Sequence, residues 1–328
     1  MQRFQFQRAT DSDAALAATR SGNAQYIAGG TTLVDLMRLE VMTPATVIDI
    51  TGLPLDQIEE GITGGLKIGA LARNATVAHH PAVAKRFPVL AEALLSGASP
   101  QLRNMATTGG NLLQRTRCTY FRDGVSPCNK RAPGTGCAAL DGYHRMHAIL
   151  GTSDHCIAAH PSDMCVALLA LDAIIHARST GGTRRLPISE LHALPGTTPN
   201  LEHTLAAGEL ITHVELPAAA FAARSHYVKV RDRSEFAFAL ASAAVALELR
   251  AGVIGEARIA LGGVATRPWR AREAEAILTG KPPLASVFRE AAEAALAGAK
   301  PRLHNKFKVE LAKRVIVRAL EELTGGVR

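Results

Sequence analysis

Between Gln114 and Ser153 the sequence loses its hydrophobic periodicity, and all five cysteines lie in or just beyond that stretch, between positions 118 and 165. Forty residues rich in Cys, Gly, Pro and Arg have no regular apolar face to bury. Inside a compact domain, such a segment marks a functional insert or a bound prosthetic group. Cys118, Cys128, Cys137 and Cys156 are separated by nine, eight and eighteen intervening residues. Four thiolates can hold a [4Fe–4S] cluster, and the metal would then order the loop in place of a core. Spacing alone leaves two other readings open. A structural zinc site usually shows tight C-x2-C knuckles, and none is present. Disulfides need an oxidising compartment, and an odd count leaves one thiol over.

The flanks are regular. Phe4–Gln7 alternates like a strand, Asp11 or Ser12 can cap a helix over Asp13–Arg20, and Gln25–Ala28 is a short apolar strand. Gly29-Gly30 breaks the chain before helical spacing over Leu33–Glu40 and a strand at Thr46–Ile50. A second unit opens with a strand at Leu66–Leu71, followed by a helical region over Val77–Leu95 that Pro81 and Pro88 interrupt. After the insert come a helix or strand at Met164–Leu171 and strands at Ala173–Arg178 and Leu210–Leu216. Pro217–Ala223 reads as a linker. A third unit runs from Tyr227–Arg231 through Phe236–Arg250 and Glu256–Gly262, then helices at Arg270–Thr279, Leu284–Ala297 and Lys306–Leu323. No internal repeat stands out.

Composition excludes several classes. No apolar run approaches the roughly 20 residues that span a bilayer, and Phe236–Leu249 is too short. The N-terminus lacks the regions of a secretory signal, so export would depend on another chain. The net charge of +8 accompanies only 4% aromatic residues. That argues against a nucleic-acid binder and for an acidic partner or an anionic cofactor.

Two turns are suited to phosphate. Ile27-Ala28-Gly29-Gly30-Thr31-Thr32-Leu33 lies between a strand and a helix, and Ala106-Thr107-Thr108-Gly109-Gly110-Asn111 repeats its chemistry. Glycine lets the backbone approach a ligand, and free N–H groups and hydroxyls face an anion. Each turn alone is a weak signal, and neither is the G-x-G-x-x-G of a Rossmann site. Two together suggest a dinucleotide whose pyrophosphate lies between them.

Those turns, extended through Val34-Asp35-Leu36-Met37 and back to Arg103-Asn104-Met105, resemble the FAD-binding subunits of the xanthine dehydrogenase (molybdenum hydroxylase) family. His160-Pro161-Ser162-Asp163, Tyr227-Val228-Lys229-Val230-Arg231-Asp232 and Ala260-Leu261-Gly262-Gly263-Val264-Ala265 are similar to further family signatures, in the right order along the whole chain. The resemblance implies an α+β chain. Two α/β FAD-binding subdomains (a PCMH-type flavoprotein fold) would occupy 1–55 and 56–217. A CO-dehydrogenase-flavoprotein-like C-terminal domain would occupy 224–328. FAD would contact Tyr26, Ile27, Ala28, Gly29, Gly30, Thr31, Thr32, Leu33 and Val34 in the first turn, and Thr107, Thr108, Gly110 and Asn111 in the second. Asp163 would make a polar contact on the nucleotide side, and Lys229 would lie near the flavin.

The segments around Cys118, Cys128 and Cys137 look like the insert, here 114–156, of bacterial periplasmic aldehyde oxidoreductases, whose FAD subunit carries an extra [4Fe–4S] cluster. Cys156 would supply the fourth ligand, and Cys165 is read as a buried core residue. Arg115, Arg117, Arg122, Lys130, Arg131 and Arg145 would stabilise the negatively charged cluster or face a partner. His144, His147, His155 and His160 are read as surface or hydrogen-bonding residues. No catalytic triad or carboxylate pair emerges. The resemblance implies electron transfer from a small [2Fe–2S] subunit, fed by a large molybdopterin subunit oxidising an aldehyde, through FAD to an external acceptor. It implies a periplasmic heterotrimer exported with a signal-bearing partner, or a cytoplasmic one. A purine, carbon monoxide or aromatic acyl-CoA enzyme, a flavoenzyme acting alone, and a zinc- or disulfide-held scaffold are the alternatives.

Overall fold

The structure, a computed structural model, describes residues 1–61, 64–234 and 236–325. The last three residues of the expected C-terminal domain lie outside the described residues. Strands β1 (Gln5–Arg8), β2 (Ala24–Ile27) and β3 (Thr46–Asp49) form a parallel sheet in the order β1-β3-β2. Parallel neighbours need crossovers, and the helices Ser12–Ala18 and Leu33–Arg38 provide them. Asp11 caps the first, its carboxylate accepting from Ala14 N at 2.8 Å. The Gly29–Thr32 turn thereby leaves the carboxyl end of β2, where sheets of this kind bind ligands.

The second sheet comprises β4 (Ile58–Glu60), β5 (Leu66–Gly69), β6 (Ile174–Ser179), β7 (Gly182–Pro187) and β8 (Leu210–Leu216), in the order β4-β5-β8-β6-β7. All its pairings are antiparallel. Its two edge strands carry no pattern visible in sequence. β4 has three residues, and β7 buries only Leu186, as protected edges commonly do. The helices Asn74–His79, Pro81–Arg86, Pro88–Ser96 and Pro100–Met105 pack near it. Proline opens three of them at the first turn, where no N–H is needed. All eight residues of the helix Asp163–Ala170 are buried.

The third sheet runs β12-β11-β10-β9, from β9 (Ser225–Val230), β10 (Ala241–Arg250), β11 (Val253–Gly262) and β12 (Trp269–Arg270). Alternation along β10 divides two cores. Ala243, Val245 and Leu247 face the helices Arg272–Leu278, Ala285–Leu296 and Phe307–Thr324. Ala244 and Ala246 join the core built around Asp163–Ala170, their small side chains admitting that helix closely. β10 starts at Ala241 rather than Phe236. Phe236 and Phe238 stay exposed on a loop and serve a cavity wall instead of a core.

The insert has one regular element, the short helix Thr119–Arg122. Side chains hold the remainder. Arg131 donates to the carbonyls of Tyr120, Phe121 and Ser126, and Asn129 Oδ1 accepts from Gly134 N and Gly136 N. Its far end is tied to the C-terminal unit. Ile149 N and Leu150 N donate to Val264 O, Lys300 N donates to Ile149 O, and the Asn305 amide donates to the carbonyls of His147 and Ala148.

Candidate functional site: joined chambers and a cysteine nest

The two glycine turns face each other. A Cβ on Gly29 would lie 1.8 Å from Met105 O, so only glycine lets the first turn close onto the backbone before the second. Gly30 has φ +72°, a left-handed conformation that glycine adopts without strain. Thr108 N and Gly109 N donate to Ala72 O and Ala70 O and pin the second turn to the segment after β5. The helices that follow are one or two turns long, so exposed backbone donors matter here more than any macrodipole. The N–H groups of Gly30, Thr31 and Thr32 meet no acceptor among the described residues, and the Thr32 hydroxyl caps nothing. Thr107 differs, its hydroxyl accepting from Gly110 N at 3.3 Å.

A cavity of about 540 Å³ lies on one side of the turns and one of about 240 Å³ on the other. They share Thr31, Thr32, Gly110, Gln114 and Pro161. The two chambers thus meet at unpaired backbone donors. That shape fits a ligand with a central pyrophosphate and a ring system at each end.

Tyr26, Ile27, Ala28, Gly29, Gly30, Thr31, Thr32, Leu33, Thr107 and Gly110 line the larger chamber. Thr31, Thr32, Gly110, Asn111, Asp163 and Lys229 line the smaller. Two expected contacts line neither. Thr108 is buried with its hydroxyl donating to Ala72 O, and Val34 is partly exposed and packs beside Gly30. The Asn111 side chain is also occupied, Oδ1 accepting from Gln114 Nε2 and the Ser162 hydroxyl.

Asp163 opens its helix and is buried with Lys229. Its Oδ2 accepts from Lys229 Nζ at 2.7 Å and its Oδ1 from the Tyr227 hydroxyl at 2.6 Å. Burial and the Asp163 charge push the Tyr227 phenol well above its usual range, so it remains a donor. Asp163 therefore fixes Lys229 at the wall of the smaller chamber.

Nothing in the sequence pointed to the loop after residue 191, yet His192, Glu202, His203 and Glu209 line the larger chamber. Glu202 pairs with both Arg115 and Lys130, and although burial works against it, these cations hold its carboxyl below the usual value. His160 and His192 meet edge to face at 4.5 Å, and burial depresses both, His192 to about 4. With Cys165 they form the one trio of metal-type donors within 4.8 Å among the described residues. Cys165 is fully buried, its thiol pushed up by burial to about 12.

Cys118, Cys128, Cys137 and Cys156 close around one small cavity, and none is in a disulfide. Cys128 and Cys137 face each other across an antiparallel bridge. Burial, with a contribution from neighbouring cysteines, pushes Cys118 to about 12 and Cys156 to about 11, and raises Cys137. No three of these sulfurs come within 4.8 Å of one another among the described residues. One zinc at about 2.3 Å needs sulfurs about 3.8 Å apart. The wider nest fits a multi-iron cluster better.

The basic residues correct one expectation. Arg117 and Arg122 pair with Asp35, Arg145 pairs with Asp232 through two 2.7 Å bonds, and Arg131 is spent mainly on carbonyls. They staple the insert to its surroundings, and their charge is compensated locally. Lys130 also favours a cysteine thiolate, that of Cys156. His144 and His147 take the second of their two expected roles, as buried hydrogen-bonding residues. His144 Nδ1 lies 2.7 Å from Gly142 O, and His147 Nε2 lies 3.1 Å from Cys118 Sγ.

Residues 2–219 match the family model for the FAD binding domain in molybdopterin dehydrogenase, and residues 226–323 that for the CO dehydrogenase flavoprotein C-terminal domain. The aldehyde oxidoreductase FAD-binding subunit of Escherichia coli (strain K12) is 48% identical over 98% of both chains. The glyceraldehyde dehydrogenase medium chain of Sulfolobus acidocaldarius is 28% identical over 79% of this chain and 74% of its own. In structure, the carbon monoxide dehydrogenase of Hydrogenophaga pseudoflava superposes with a TM-score of 0.77 at 26% identity, covering 99% of this chain and 98% of that one.

Proposed function

The chain belongs to the FAD-binding subunits of the molybdenum hydroxylase family, and from that premise we propose that it is the electron-transfer subunit of an aldehyde oxidoreductase and carries both FAD and a [4Fe–4S] cluster. The observation that carries this reading is the meeting of two chambers at the two glycine turns. The free N–H groups of Gly30, Thr31 and Thr32 would hold the pyrophosphate, with the adenosine half in the larger chamber. The flavin ring would take the smaller one, beside Lys229. Asp163 keeps that lysine in place, and the aromatic side chains of Phe236 and Phe238 shield the chamber. When bound, FAD can take up electrons one at a time and pass them on singly or in pairs, as a relay from one-electron clusters to an acceptor requires.

Cys118, Cys128, Cys137 and Cys156 would hold the cluster. The donor set, the unoxidised thiols and the sulfur spacing support it. The extent of likeness to the Escherichia coli subunit favours an aldehyde over the substrates of more distant relatives. The family works as multi-subunit complexes, and the same reading gives this chain a small [2Fe–2S] partner and a large molybdopterin partner in a heterotrimer. Among the described residues no helix is long and apolar enough to cross a membrane. Periplasmic location by export with a partner is part of the proposal.

The test is the absorption spectrum of the complex purified anaerobically, with flavin and metals quantified per chain. The expected result is one FAD and about four irons on this subunit. Zinc in place of iron, or no flavin after growth with flavin supplied, would overturn it.

A further inference from the structure

A third chamber, of about 270 Å³, lies between the two redox sites. It shares Arg117, Pro161, Asp163 and Phe238 with the flavin chamber and Cys118 with the cysteine nest. We propose that this chamber binds the small molecule that carries electrons away, an oxidised quinone of one or two rings. The proposal rests on the flavin reading above and adds the acceptor's chemical class and place.

Size argues against enclosing a dinucleotide acceptor, since the cavity proposed for the adenosine half of FAD alone is twice as large. The walls favour a flat apolar molecule. Tyr143, Met146 and Phe238 are 63%, 39% and 41% exposed, and all three border this one cavity. Hydrogen bonding favours carbonyl oxygens. Arg145 and Arg117 stand at the wall, ion-paired with Asp232 and Asp35, but Arg117 Nε is buried with no partner and is left to donate. The one carboxylate lining the chamber, Asp163, is already bonded to Tyr227 and Lys229. An oxygen gaining negative charge on reduction would therefore meet the unpaired Arg117 N–H and no free carboxylate on the chamber wall.

The chamber is also held open. Lys308 is fully buried, and its ammonium donates to Met146 O at 3.1 Å and Gly263 O at 2.7 Å, both from lining residues. The chemistry balances. Aldehyde plus water gives acid, two electrons and two protons, and the quinone takes up both pairs as its two C=O groups become C–OH.

The test uses the purified complex with Met146→Trp, which fills the chamber, and Tyr143→Ser, which removes an exposed wall and should not impair folding. Turnover of aldehyde is followed with a soluble naphthoquinone and, separately, with ferricyanide, an outer-sphere oxidant that needs no pocket. Binding of redox-inert 1-naphthol to the oxidised complex is followed by its fluorescence. The expected outcome is a KM for the quinone raised tenfold or more and naphthol binding lost, with flavin, iron and ferricyanide turnover unchanged. Unchanged quinone KM and naphthol binding in both variants would overturn the proposal while leaving the flavin assignment standing. Reduction of protein acceptors alone, with no naphthol bound by the wild type, would overturn it too. Failure of the flavin reading shows separately, as missing flavin in the wild type.

Discussion

The flavin turns and the cysteine insert are neighbours held together by opposite means. The turns hang from β2 and from the segment after β5, whose backbones are paired in sheets and whose side chains sit in apolar cores. The insert has one short helix and relies on guanidinium-to-carbonyl bonds, an asparagine clasp and four thiols. The first site is shaped by the chain itself, whereas the second, on the reading proposed above, would owe much of its order to its cluster. Loss of the cofactor should therefore leave different remains in the two regions.

The largest effect expected is from Cys128→Ser, which removes iron from the chain and opens the insert to amide exchange while flavin stays bound. Iron and flavin analysis with hydrogen exchange checks this, and parallel loss of flavin would show that the two regions stand or fall together. Gly29→Ala breaks the other side. Its methyl cannot fit against Met105 O, so flavin falls to near zero while iron is kept, as absorbance and metal analysis would read.

Asp163→Asn leaves Lys229 buried without its counter-charge and should cost about 3–5 kcal/mol in denaturant unfolding, with Lys229→Met in the same chain recovering much of it. The smallest effect sharpens the contrast by touching neither site. His226 lies 2.8 Å from Glu92 and 2.9 Å from Glu322, which raise its pKa, Glu92 foremost. Its contribution is complete below the unfolded value near 6.5 and fades as pH rises through the higher folded value. His226→Gln should thus cost about 0.5–1 kcal/mol at pH 5.5, and less at pH 9, as for a partly exposed ion pair. Flavin and iron should not change.

The two regions also differed in what their sequence disclosed. Periodicity located β8 to the residue. The apolar run from Met164 gave the place of the buried helix within one residue but left helix or strand open, because an element buried on every side has no apolar rhythm. Pro81 and Pro88 divided the helices as expected, since proline acts locally. The edge strands β4 and β7 left no trace, being solvated and pattern-free. In the site, the glycine and threonine turns were visible because they are contiguous. Glu202, which binds Arg115 and Lys130 across the larger chamber, was not, because those contacts span far-separated positions. The same holds for the basic residues of the insert. Their number suggested charge for a cluster, but their partners Asp35, Glu202 and Asp232 come from outside it.

The stitching of the insert to Val264, Lys300 and Asn305 bears on how the protein is made. Chains emerge from the ribosome N-terminus first, and domains close as units in that order. The flavin turns are complete early, but residues 147–150, which lead towards Cys156, gain their ties to Val264, Lys300 and Asn305 only as those residues are synthesised. On the reading proposed above, the insert would reach its final shape for a metal only as those last ties form. A product ended before residue 300 would keep all its cysteines and its ties to Val264, but lose those from Lys300 and Asn305.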